Sequence, residues 1–120
     1  MAAPNLVNVS SVFGKSTAIA LTTSSQDVLT CASDKLLKIN SIICANVDGT
    51  NDATATVQFS DGGSSNFHIA KAVNVAAGDT VNILTKDAPI YLEETDKIKA
   101  LASAASDLEL VVSYEELDDA

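Results

Sequence analysis

From Ala53 to Glu116 the chain is a run of short segments in which apolar and polar residues alternate: ATATVQFS, NFHIAKAVNV, TVNIL, PIYLEE, DKIKALA and LELVVSYEE. Gly-Asp, Gly-Gly, Pro and Ser-Asp steps separate them. A period of two sends successive side chains to opposite faces, so each segment suits a strand with one face buried and one in water. Strands of this length at this spacing specify a small antiparallel β-sandwich or barrel. No cluster suited to catalysis or metal binding sits on these segments or in the turns between them. The chain presents a surface, and no enzyme is expected.

The first half extends the pattern. Ser16 to Thr23 is short and β-prone, and Ser24-Ser25-Gln26 turns it into Asp27 to Ala32. Leu36 to Val47 is the longest apolar run, rich in β-branched residues. It suits a central strand with Lys38, Asn40 and Ser41 near its outer face. Asp48-Gly49-Thr50-Asn51-Asp52 is a strong turn. A helix over ALASAASDLE is allowed by its alanines, but the flanking β-branched runs favour strand. Eight or nine strands are too many for one flat sheet of this size. The expected fold is therefore all-β: an antiparallel sandwich of jelly-roll or Greek-key type. Its expected core is Val28, Leu36, Ile39, Ile43, Val57, Phe59, Ile69, Val81, Leu92, Ile98, Leu110 and Val112.

Three regions follow from this reading: an extended N-terminal arm over 1–15, one sandwich domain over 16–117, and an acidic tail over 118–120. Pro4, Gly14 and scattered Asn and Ser give the arm no period with which to join the core. Leu6, Val7, Val9, Val12 and Phe13 nonetheless offer apolar anchors for a neighbour.

A chain of 120 residues fits one domain and buries roughly two-thirds of its unfolded surface. Its apolar residues are mostly Ala, Val, Leu and Ile, with no Trp, so an isolated copy has a core of modest side chains. Open sheet edges must also be covered or charged. Both points favour a homo-oligomer. Seven Lys, no Arg and 16 Asp plus Glu give a net charge of −9. Counterion displacement from phosphates and bidentate reading of guanine both need the cations this chain lacks, so no nucleic acid is expected as a partner. Anionic membrane surfaces are disfavoured on the same ground. The opening MAAPNLVNVSSVFGKS has no charged leader followed by a long apolar run, and no stretch approaches the roughly 20 residues of a membrane span. Cys31 and Cys44 do not make a disulfide scaffold; two free thiols in a reducing cytoplasm are expected.

Each fragment of possible chemistry has a simpler reading. Gly14-Lys15-Ser16-Thr17 ends like a phosphate-binding loop, but Val9 stands where the first glycine is required and no helix follows. His68 is the single histidine, and a zinc site would need Cys31 and Cys44 to converge on it from apolar strands. Asp48, Asn51, Asp52, Asp61 and the Glu93–Asp96 group offer hard oxygens, yet DGTND lacks the terminal Glu of a calcium loop. They read as solvated turn acids, and Glu115, Glu116, Asp118 and Asp119 as a solubilising end. The five aromatics, Phe13, Phe59, Phe67, Tyr91 and Tyr114, are too few for a sugar-stacking platform, and most are expected in the core. No catalytic residue, metal ligand or cofactor is assigned.

VNVAAGDTVNIL and PIYLEETDKIKALASAASDLELVVSYEEL together resemble small virion proteins of tailed bacteriophages. There a strand pair joined by an Ala-Gly-Asp-Thr turn precedes a hydrophobic-Glu-x-x-Asp-x-Ile-x-Ala strand and a terminal hydrophobic-Val-Ser-Tyr-x-Glu. The matching residues are Ala77 to Thr80, Leu92 to Ala100 and Val111 to Glu116, with weaker likeness back through KLLKINSIICANVDGTNDATATVQFSDG. The resemblance covers residues 27 to 117. It implies a sandwich that self-associates and docks on a repeated viral lattice. The leading expectation is a trimeric capsid decoration, or cement, protein bound to the major capsid protein. A neck, tail, baseplate or fibre-associated subunit, or a carbohydrate-binding sandwich, are the alternatives. The net charge disfavours the inside of a DNA-filled shell, so the particle exterior is expected. The acidic turns Asp48–Asp52 and Asp61–Ser65 would then face solvent, and Lys97 and Lys99 the partner.

Overall fold

The structure is a computed structural model that describes residues 6–7, 9–62 and 64–119, with the side chain of Asp119 left aside. Nine strands follow one another: β1 (Val9–Ala20), β2 (Gln26–Thr30), β3 (Lys35–Asn46), β4 (Ala53–Asp61), β5 (Ser65–Val75), β6 (Thr80–Leu84), β7 (Ile90–Leu92), β8 (Lys97–Ala102) and β9 (Leu108–Asp119). No helix occurs among the described residues; the alanine-rich stretch is the end of β8 and the turn after it.

The antiparallel pairings are nested. The β4–β5 hairpin is innermost, β3 pairs with β6 and β7 outside it, β2 pairs with β8, and β1 pairs with β9 outermost. A long ribbon of this kind rolls up when β9 also pairs with β3 and β8 with β4. The outcome is two sheets, β1-β9-β3-β6 (with β7 also on β3) and β2-β8-β4-β5. This is the wiring of a jelly roll, with one of its eight strands split into β6 and β7. The domain is elongated, 49 × 26 × 20 Å.

The core lies between the sheets. Leu37, Ile39, Ile42, Cys44, Leu108, Leu110 and Val112 from one sheet meet Ala55, Val57, Ile98, Ala100 and Ala102 from the other, and Leu92 and Val75 close it. Of the expected core, Ile39, Val57, Leu92, Ile98, Leu110 and Val112 are buried, and Val28, Phe59, Ile69 and Val81 pack partly against them. Two positions differ. Counting by twos from Ile39 puts Ile43 inside, but the β3·β9 register shifts between Ile39 and Ser41. That bulge inserts one residue, so Ile42 and Cys44 turn inward and Ile43 outward. Leu36 is buried but outside the core cluster; it pairs with Leu117, and Leu117 with Val12.

At both termini the described residues include strand. Val9 to Lys15 form the first half of β1, and from Ser11 to Ala20 the pairing with β9 has no register shift. The alternation there is weak because β1 is an edge strand, exposed on both faces from Val12 to Ser16. Residues 1–5 and 8 lie outside the described residues. At the other end β9 continues through Asp119, Leu117 is buried, and Asp118 pairs with Lys35 across the ladder, so 118–119 are strand and no free tail. Ala120 is not described.

Candidate interaction surface

The polar residues at the two ends of the sandwich hold turns together. At one end, buried Asn46 donates from Nδ2 to the carbonyls of Asn51 (3.0 Å) and Val75 (2.9 Å), and its Oδ1 accepts from the Asp48 amide (2.9 Å). Asp48 caps its own turn by accepting from the Thr50 amide at 2.8 Å and from Asn51 Nδ2 at 3.2 Å. Asp52 accepts from the Ala77 amide at 3.0 Å, tying this turn to the next. At the opposite end, buried Asp96 bridges two turns, accepting from the Gly62 amide (2.9 Å) and the Glu93 amide (3.0 Å). Glu94 accepts from the Asp34 amide at 2.8 Å, where Asp34 takes a left-handed φ of 63°. Asn46 and Asp96 are the structurally decisive polar residues: the sequence reading left Asn46 unremarked inside an apolar run and took Asp96 for a solvated turn acid, whereas both are buried.

No group of three or more His, Cys, Asp or Glu residues is placed to hold a metal among the described residues. His68 lies on exposed β5 with its Nε2 3.2 Å from Gln58 Nε2. Cys31 and Cys44 are free and buried, and burial pushes both thiols up to about 11, so neither is a thiolate at neutral pH. Gly14-Lys15-Ser16-Thr17 lies in the middle of β1, where no helix terminus can cradle a phosphate.

Lys97 and Lys99 stand on adjacent outward positions of β8 and converge on Asp27 of β2, at 2.7 and 3.0 Å. The triad carries one net positive charge. Its lysines hold the Asp27 carboxyl below the usual carboxylate range, and backbone donors from Thr50 and Asn51 do the same for Asp48. Carboxylates lowered in this way stabilise the fold fully above their unfolded value of 3.8 and lose that contribution as pH falls through their lower folded values. Acid titration followed by circular dichroism is therefore expected to show unfolding that begins below that value, and Asp27→Asn is expected to shrink the acid-dependent part.

Among the described residues the large apolar side chains exposed to solvent are Leu6, Val7, Val12, Phe13, Val47, Phe67 and Tyr91. Four of the seven lie within Leu6–Phe13, so the apolar surface concentrates at the start of β1. Val9 is half-buried, and Lys15 reaches Glu116 at 3.2 Å while lying 5.9 Å over the Phe13 ring. Three of the five aromatics, Phe13, Phe67 and Tyr91, are thus exposed rather than in the core. They do not form a platform: Phe13 and Tyr91 lie on strands at opposite edges of one sheet, and Phe67 lies in the other. That separation disfavours a sugar-stacking face.

No family model matches the chain, and no curated protein matches it. Solved structures do. One comes from the study "Bacillus endospore appendages form a novel family of disulfide-linked pili", with a TM-score of 0.52 and 14% identity over 91% of this chain and 89% of that one. The Drosophila NLP core, described for pentamer formation and histone binding, matches with a TM-score of 0.51 and 15% identity over 90% of this chain and 100% of that one. A pentameric capsid protein isolated from metagenomic phage sequences reaches only 0.38 at 13% identity, over 95% of this chain and 62% of that one, and carries no argument. At these identities the first two show a shared fold.

Proposed function

We propose that this chain is a virion structural protein of a tailed bacteriophage: a capsid decoration subunit that self-associates and clasps neighbouring copies of the major capsid protein from outside the shell. The observation that carries this reading is the division of its surface. Acids at both ends of the jelly roll are engaged in turn contacts, while the exposed apolar side chains gather at Leu6, Val7, Val12 and Phe13. Such a molecule offers contact and no reaction centre. The jelly roll recurs in viral capsid domains, and the two structures of similar fold come from a pilus and from a pentamer-forming protein. Both cysteines here are buried, so copies would join without disulfides.

The Asp27–Lys97–Lys99 triad offers the sandwich's second contact, a locally positive spot on an acidic molecule. Electron microscopy of the particles that carry this chain tests the proposal. Density repeated over the shell exterior, on the order of hundreds of copies, is the expected result. Density confined to the tail or neck, in about a dozen copies, would replace it with the tail-component reading. In the same particles Asp48→Asn, Asp52→Asn and Asp61→Asn together should leave attachment intact, whereas Lys97→Gln with Lys99→Gln should weaken it.

A further inference from the structure

The jelly roll has four sheet-edge positions, and they are not alike. β2 is five residues long, with a register shift between Asp27 and Leu29. β5 is irregular against β4, carries Lys71, and has Ala72 at a left-handed φ of 50°. The edge made by β6 and β7 has five and three residues, broken by a loop that ends in Pro89. Short strands, bulges, charges and proline are the devices that stop an edge from pairing with another chain. β1 has the fewest of them over Ser11–Ala20: ten consecutive residues in unbroken register with β9, no proline, and the single charge of Lys15. Over Ser11–Ala20, β1 pairs with β9 alone among the described strands, and no described strand pairs with its other side.

We infer that β1 is a self-association edge, and that its occupant is β1 of a second copy, antiparallel about a two-fold axis. Two features of the molecule select that occupant. Every other described edge of the chain is blunted, so the open edge a second copy offers is its own β1, met over Ser11–Thr17 when the axis lies at Gly14. Charge points the same way. The first acid in the sequence is Asp27, so residues 1–26 carry one Lys and no acid, a net +1. The other 94 residues carry six Lys and 16 acids, a net −10. β1 itself therefore brings no acid to the joint; the acids nearest it, Glu109, Glu115, Glu116 and Asp118, lie one strand in on β9, where Lys15 pairs with Glu116. An axis at Gly14 sets each Phe13 opposite Lys15 of the other copy and keeps the two lysines apart. Lys15 already lies over its own Phe13, so that side-chain pairing is one the sequence supports. The joint would run the sheet continuously through both copies. It deepens the self-association in the proposed function but rests on edge geometry, so its failure would leave attachment to the particle to be judged separately.

Light scattering of the full chain is expected to give twice the 12.4 kDa chain mass. Val12→Asp with Phe13→Asp should return it to one chain, and Val47→Asp with Phe67→Asp should leave it at two. Circular dichroism would confirm that both variants stay folded. Gly14→Cys tests the register. A Cβ there meets nothing within 4 Å, and directly opposed residues of an antiparallel pair lie close enough for a disulfide. With oxidised glutathione as oxidant, Gly14→Cys should give a linked pair on a non-reducing gel, and Ala20→Cys should not. A wild-type mass of one chain, or of three or more, overturns the inference. So does a two-chain mass that survives the β1 acid variant, or a linked pair from Ala20→Cys and none from Gly14→Cys.

Discussion

Replacing Ile42 with alanine is expected to destabilise the protein by about 2–5 kcal/mol, the cost of a fully buried large-to-small change. Ile43→Ala is expected to cost less than about 1.5 kcal/mol. The two residues are neighbours of identical chemistry and differ only in face. Ile42 is 0% exposed between the sheets, where truncation opens a cavity that β9 and β8 cannot collapse into without breaking their ladders. Ile43 is half-buried on the outer face beside Val111 and Asn82, and there water fills the space left by lost methyl groups. Urea titrations of the two variants, compared at constant slope, measure the difference. Equal losses, or a larger loss at Ile43, would mean that β3 runs in the other register and that the bulge at Asn40 is wrong.

Asn46→Ala carries the second large expected effect, a loss of about 2–4 kcal/mol. A drop of roughly 10–15 °C in melting temperature would accompany it in a domain of this size. Asn46 is 3% exposed, and its side chain serves the Val75 and Asn51 carbonyls and the Asp48 amide. Alanine removes all three contacts, including the buried one to the Val75 carbonyl. Asn46→Asp keeps the acceptor for Asp48 but turns a carboxylate oxygen toward two carbonyls, so it should be at least as damaging. Asn51→Ala, at an exposed turn position, should change stability by less than about 1 kcal/mol. Thermal unfolding of the three variants separates a structural tie from an ordinary turn residue. Similar small shifts in all three would show that the β3–β4 turn holds without Asn46.

Eight or nine strands were legible in the sequence because the segments alternate or are β-branched and are bounded by turn residues. From β4 to β8 the boundaries agree to within a residue or two: ATATVQFS is β4, TVNIL is β6 and DKIKALA is β8. β1 was half-missed for a physical reason. An edge strand that is wet on both faces needs no alternation, so Val9–Lys15 carries no period to find. The surface was legible in part. Leu6, Val7, Val12 and Phe13 were named as apolar anchors and are exposed, but Val12 and Phe13 sit on a sheet edge and not on a free arm. Lys97 and Lys99 share a face, as residues two apart on a strand must, and their common partner Asp27 is 70 residues from Lys97 in sequence and out of reach of any local pattern.

What the sequence determined by itself is the all-β class, a count of eight or nine strands and an acidic composition, because alternation, turn chemistry and composition are local quantities. What only the tertiary structure decided is where the pattern is interrupted and what that does. One inserted residue at Asn40 exchanges Ile43 for Ile42 in the core, since side chains alternate strictly and every inward position after a bulge changes parity. The open edge is likewise a property of order in the sheet. β1 is available because nesting the ribbon puts it outermost, and no residue of β1 encodes that alone.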